Sequence, residues 1–161
     1  MSKKVRVYGQ SQKWTALGIM EAYLELHPNA TLSDLQKAFP KNEIGNEIDT
    51  VDKIVGKEKD GKFDEKLSKQ ITDMGMFLTL KDGTKVAFTN PMWPADKFKK
   101  IEKCAKRYGI EIAEYEEAEK SIGKRGNYSL EVVSDKKKCN WILWLILAII
   151  ILGVIAYFAM R

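Results

Sequence analysis

Histidine is nearly absent from this chain of 161 residues: His27 stands alone. Any mechanism that needs a pair of histidines, as metal ligands or as acid and base, is thereby excluded. Cysteine is almost as scarce, with Cys104 and Cys139 only. Two thiols make neither a disulfide framework nor a four-cysteine zinc site. Cys104, beside Ala105 in a helical pattern, reads as a small core residue. Cys139 reads as an unmodified thiol. Internal repeats and low-complexity tracts are missing as well. The amino-terminal residues, Met1-Ser2-Lys3-Lys4 followed by Val5-Arg6-Val7, lack the apolar core of a signal peptide.

Catalytic constellations are also lacking. Residues 56–62, Gly-Lys-Glu-Lys-Asp-Gly-Lys, match the spacing of a phosphate-binding loop. Such a loop needs Ser or Thr next, to hold magnesium, and Phe63 stands there instead. Glu58 and Asp60 would also place negative charge where phosphate sits. The match is one of chance. Asp64-Glu65-Lys66 and Glu58-Lys59 are charge runs outside any expected strand, so they do not assemble a metal-nuclease site. His27, between Leu26 and Pro28, reads as a helix-end residue at the negative end of the dipole. No enzyme, catalytic residue, metal or cofactor is expected.

What is present divides in two. Lys and Arg number 27 against 22 Asp and Glu, a net charge of +5, and all but Arg161 precede Trp141. Residues 141–160 carry no charge. At about 1.5 Å per residue they would span roughly 30 Å, the hydrocarbon thickness of a bilayer. Trp141, Trp144 and Tyr157 suit interfacial belts, and Lys136, Lys137 and Lys138 mark a cytoplasmic side. This predicts a single-pass, tail-anchored protein of the inner (plasma) membrane, its amino-terminal domain cytoplasmic and the lipid bilayer one of its partners.

Periodicity organises the rest. Val5 to Tyr8 suits a short strand, and Gln12 to Leu26 a helix with a broad apolar face. Thr31 and Asp34 form a capping-box pattern opening a helix from Leu32 to Phe39. Residues 42–70 stay open between helix and strand, because Gly45, Asn46 and Gly56 interrupt the spacing of Ile44, Ile48, Val51 and Val55. Leu67 to Met74 suits a short helix. Two β-rich runs around Asp82-Gly83 predict a hairpin. Ala95 to Tyr108 reads as a helix with Phe98, Ile101, Ala105 and Tyr108 inward and Gly109 as its cap. Ile110 to Ala113 suits an edge strand, and Leu130 to Val133 one more. These elements predict an α+β domain over residues 1–115, with two amino-terminal helices, a β-hairpin and a closing helix in winged-helix-like order. A charged juxtamembrane linker (116–140), able to hold a short strand, and the transmembrane helix (141–160) would follow.

One face could bind a partner. Lys97, Lys99, Lys100, Lys103, Lys106 and Arg107 surround the outside of the helix at 95–108, offset only by Asp96 and Glu102. As an alternative to a plain solvated helix surface, this face suits anionic lipid head groups, an acidic protein or nucleic acid; nucleic acid is not favoured, because the segment 42–55, the candidate third helix that would read DNA, is acidic.

The stretch FLTLKDGTKVAF (Phe77 to Phe88), followed by Asn90, Trp93 and FKKIEKCAKRYGIEI (Phe98 to Ile112), together with TLSDLQKAFP (Thr31 to Pro40), resembles a small winged-helix-like accessory module of bacterial restriction- and defence-associated proteins. The resemblance covers about half of the chain. It implies a non-catalytic accessory role and carries no active-site residues. The reading that follows is a non-enzymatic, membrane-anchored protein-interaction or regulatory module, with a membrane-tethered nucleic-acid-binding domain as the alternative.

Overall fold

A computed structural model describes residues 3–56, 58–59, 62–114, 116–118 and 127–134. Strand β1 (Lys3–Gly9) is the first described element, with Val5 and Val7 fully buried and alternating with the half-buried Lys4 and Arg6. That alternation is the signature of a strand with one face on a core. Helix α1 (Gln12–Leu26) has the expected bounds. Its buried residues include Trp14, Ala16, Leu17, Ile19, Met20, Ala22 and Tyr23, so apolar side chains cover most of its circumference. A helix apolar nearly all round belongs in the centre of a fold.

Helix α2 (Leu32–Ala38) begins with the predicted capping box. The Thr31 hydroxyl accepts from the Asp34 amide at 3.3 Å, and Asp34 Oδ2 accepts from the Thr31 amide at 2.9 Å. The ambiguous stretch that follows uses both helix and strand. Helix α3 (Lys41–Ile44) stops at Gly45, whose φ of +69° lies in the left-handed region open to glycine. Strand β2 (Ile48–Thr50) runs directly into α4 (Val51–Val55). A two-residue hairpin follows, β3 (Glu58–Lys59) with β4 (Lys62–Phe63). Of the phosphate-loop-like run, Glu58, Lys59 and Lys62 therefore lie on two paired antiparallel strands. Helix α5 (Glu65–Thr72) is capped by Asp64, which accepts from the Leu67 amide at 3.0 Å.

The hairpin around Asp82-Gly83 is present as β5 (Leu78–Thr79) and β6 (Lys85–Phe88), with Leu78 opposite Val86. Helix α6 (Ala95–Arg107) then leads through Tyr108 and Gly109 into β7 (Ile110–Ile112). The last described strand is β8 (Tyr128–Ser134), longer at both ends than the apolar run that suggested it.

Two three-stranded sheets organise these elements. In the order β7-β1-β8, β1 is central, parallel to β7 and antiparallel to β8. Val5 and Val7 pair with Ile110 and Ile112 on one side and with Val132 and Leu130 on the other. Paired residues share a face, so this apolar set lies on the side that meets α1. In the order β2-β6-β5, β6 is central and both pairings are antiparallel. Val86 and Phe88 join the main core with α1, α2 and α6, whereas Ala87 packs on the opposite face with Val51, Ile54 and Ile71 of α4 and α5.

This architecture corrects the expected fold class. The described chain is a mixed α/β assembly rather than a small winged-helix-like domain with an appended closing helix. The segment 42–55, read as a possible third helix, is broken into α3, β2 and α4, and its strand pairs with the hairpin. The amino-terminal strand is the middle of a separate sheet whose partners come from late in the sequence. The membrane expectation is corrected too: among the described residues no helix is long and apolar enough to cross a membrane. The tail-anchored, single-pass, inner-membrane reading, with the cytoplasmic placement that depended on it, therefore has no structural support. The expected span 141–160 and its anchors Lys136, Lys137, Lys138, Trp141, Trp144 and Tyr157 lie outside the described residues.

Candidate functional site

The amphipathic pattern of α6 fixes which cations reach solvent. Ile101, Cys104 and Ala105 are buried in the main core, and this locks the rotation of the helix. Lys99, Lys100, Lys103, Lys106 and Arg107 are consequently exposed, while Lys97 is half-buried. The six cations are not equivalent. Lys97 lies along the turn after α3, where a Cβ on Gly45 would meet its Cε at 3.5 Å. Lys106 pairs with Glu102 one turn back at 3.2 Å, and Arg107 pairs with Glu43 of α3 at 2.7 Å. Lys99, Lys100 and Lys103 make no ion pair with a described residue. The predicted basic face thus narrows to three lysines on one exposed side of the helix.

Glu43 joins α3 to α6. Its Oε2 receives Arg107 Nη1 and, at 3.5 Å, the Cys104 thiol. Burial first, and then the hydrogen bond to Glu43, push the Cys104 pKa up, so the thiol stays protonated and unreactive. Cys104 is therefore a core residue, as its sequence context suggests. The Glu43–Arg107 pair joins residues far apart in sequence and carries no local signal.

An aromatic cluster was also hidden from sequence reading. Tyr23 of α1 lies against His27, the rings tilted by 37° with centroids 4.4 Å apart, and meets Tyr108 edge-on at 5.0 Å and Phe39 at 5.6 Å. The only legible hint was the spacing of Tyr23 and His27, one helical turn apart. His27 is the carboxyl-terminal cap of α1 and its ring is exposed. Burial, with smaller contributions from Tyr108 and Asp34, raises the Tyr23 pKa and keeps its hydroxyl protonated.

The outer face of the β7-β1-β8 sheet holds a second charged group. Glu111 accepts from Arg6 at 3.1 Å and from Lys4 at 3.3 Å, and the Tyr8 hydroxyl donates to Glu131 at 2.5 Å. The Arg6 and Lys4 bonds hold the Glu111 pKa below the usual carboxylate value. Lys4, Arg6 and Glu111 thus neutralise one another across the strands, while Glu131 is bonded to a neutral hydroxyl. Among the described residues, no group of three or more His, Cys, Asp or Glu side chains could hold a metal ion.

Comparison with protein-family models, curated proteins and solved structures found no match for the chain.

Proposed function

We propose that this chain is a non-enzymatic binding module that uses α6 to engage an acidic surface of a protein partner. The observation that carries this reading is the set of exposed lysines, Lys99, Lys100 and Lys103, which have no ion-pair partner among the described residues. A rigid helix that presents unpaired cations, with its inner side fixed in a core, is pre-organised for an oppositely charged surface. The geometry favours protein over nucleic acid. Arg107 and Lys106 are already neutralised by Glu43 and Glu102, and Asp96 lies on the same helix. Three free lysines form too small a footprint for a duplex, whose recognition commonly neutralises six to ten phosphates (about that many in well-studied cases).

The test is site-specific crosslinking in cells, with a photoreactive residue replacing Lys100 in the full chain. A discrete protein adduct that disappears when Lys99→Glu and Lys103→Glu are combined is the expected result. Adducts made only with nucleic acid would overturn the reading in favour of the alternative. So would a protein adduct unaffected by the charge reversals.

A further inference from the structure

We propose that β8 pairs edge to edge with β8 of a second copy of this chain, about a two-fold axis at Leu130, to form a homodimer. This surface is separate from the lysine face of α6, and the proposal does not depend on that face.

The hydrogen bonds of β1 show which backbone groups of β8 are open. The Gln10 amide donates to the Asn127 carbonyl at 3.0 Å, one position beyond the pair Gly9 and Tyr128. Antiparallel residues alternate between hydrogen-bonded and non-hydrogen-bonded pairs. Ser129, Glu131 and Val133 therefore turn their amides and carbonyls toward β1. The other side of β1 agrees, because Val5 donates to Gly109 and Val7 accepts from Ala113 on the β7 side. Tyr128, Leu130 and Val132 thus turn their amides and carbonyls outward, where no described strand pairs with them.

Two features leave this edge open to pairing. Native sheets blunt their edges with lysine, proline or very short strands. β7, at the opposite edge, has 3 residues, whereas β8 has 7. From Tyr128 to Ser134 there is no lysine, arginine or proline, and Glu131 is the single charge. Val132 is also 47% exposed, although it stands opposite the fully buried Val5. The core-facing side of the sheet ends there in an uncovered apolar margin.

The occupant is a second copy because β8 is complementary to itself. An axis at Leu130 sets Leu130 opposite its own copy, and Tyr128 opposite Val132 of the second copy. Aromatic and β-branched residues are favourable cross-strand neighbours, and these pairs cover the exposed Val132. On the other face Ser129 meets Glu131 of the second copy in a non-hydrogen-bonded pair, where side chains approach most closely. A hydroxyl donor thus faces a carboxylate. An axis at Glu131 would instead bring two carboxylates together at that close position. An axis at Val132 would oppose Leu130 with Ser134 and remove both tyrosine pairs. Pairing at Leu130 joins the two three-stranded sheets into one, in the order β7-β1-β8-β8-β1-β7. The interface is isologous and closes on itself. It is held by backbone bonds and a short apolar row, so the dimer is reversible and concentration-dependent.

The register is tested by disulfide trapping in the full chain with Cys139→Ser, where the remaining Cys104 is buried. Chains carrying Ser129→Cys and chains carrying Glu131→Cys are oxidised separately and after mixing. Directly opposed residues in a non-hydrogen-bonded pair lie about 4.5 Å apart at Cα, within reach of a disulfide. The mixture should give crosslinked dimers of one chain of each kind, and either variant alone should give few. Light scattering over a concentration series of the unmodified full chain should show a monomer–dimer equilibrium. Val132→Lys places a charge at the edge, at a position exposed in the monomer. It should raise the dimer dissociation constant at least tenfold with the circular dichroism unchanged. A monomer at every concentration would overturn the proposal, as would a dimer that Val132→Lys leaves intact. Crosslinking that is no greater in the mixture than in the separate variants would overturn it too, whatever the folding of Val132→Lys.

Discussion

Gly18 of α1 lies directly against the ring of Tyr128 in β8: a Cβ built on Gly18 would sit 2.9 Å from Tyr128 Cδ2, and 2.7 Å from Val7 Cγ1 on the neighbouring strand β1. Glycine in the middle of a helix ordinarily costs about 1 kcal/mol relative to alanine. Here the missing methyl group lets the helix approach the sheet. Val7 is fully buried and β-branched, so it has little freedom to move aside. Gly18→Ala should therefore destabilise the protein by about 1–3 kcal/mol despite its better helix propensity. The denaturant midpoint should fall with little change in slope; a higher midpoint would show that the contact relaxes without cost.

Asn46 is buried, and both ends of its side-chain amide are hydrogen-bonded. Its Nδ2 donates to the Asn90 carbonyl at 2.7 Å, and its Oδ1 accepts from the amides of Glu47 and Asn90 at 2.9 and 3.2 Å. These bonds hold the segment after β6 against the turn before β2. Asn46→Ala leaves buried donors and acceptors without partners, at about 1–3 kcal/mol for each group left unpaired. A loss of about 2–4 kcal/mol in chemical denaturation is expected on that scale, well above the loss for Asn29→Ala on the exposed surface.

The capping box of α2 should make stability pH-dependent. The Asp34 pKa is lower in the folded chain, so its contribution is fully present above the unfolded value near 3.8 and is lost as pH falls through the folded value. Asp82 and Glu111 are shifted in the same direction by the Thr84 amide and by Arg6, respectively. Stability should therefore be flat in these groups near neutrality and fall below about pH 4. Thr31→Ala should cost about 1 kcal/mol at neutral pH and flatten the acid limb, as measured by thermal melts between pH 2 and 7.

The lysines of α6 should be dispensable for folding. Lys99→Glu, Lys100→Glu and Lys103→Glu, each alone, should change stability by no more than about 0.5 kcal/mol, the usual range for exposed positions. Ile101→Ala, on the buried side of the same helix, should cost about 2–5 kcal/mol. Denaturation of the two sets side by side separates the binding face from the packing face.

Much of this fold was legible wherever one local rule acted alone. The bounds of α1, the Thr31–Asp34 capping box, the hairpin around Asp82-Gly83 and the inner face of α6 all follow from spacing within a few residues. Residues 42–70 were not legible, because Gly45 and Gly56 cut the apolar spacing into pieces that suit helix and strand equally, and only pairing of Ile48–Thr50 with β6 decides between them. The winged-helix order was inferred from the sequence of elements. It failed because element order does not reveal that β1 pairs with strands formed near residues 110 and 130. The candidate site was half legible. Charge pattern marked the six cations of α6, whereas the partners that neutralise two of them are set partly by α3, and the aromatic cluster is assembled from three helices and their ends.

The central position of β1 sets an order of events during synthesis. Arg6 meets Glu111 across 105 residues of chain, and Tyr8 meets Glu131 across 123. At roughly 5–20 residues per second of translation, β1 waits on the order of 5–20 s after leaving the ribosome before β7 exists. Throughout that interval both of its hydrogen-bonding edges are open. Val5 and Val7 are the residues of this strand most able to recruit another chain, and Lys3, Lys4 and Arg6 are interleaved with them. Charges so placed repel a second copy at an unpaired edge. Lys4 and Arg6, the cations that later meet Glu111, thus guard the nascent strand until its partners arrive.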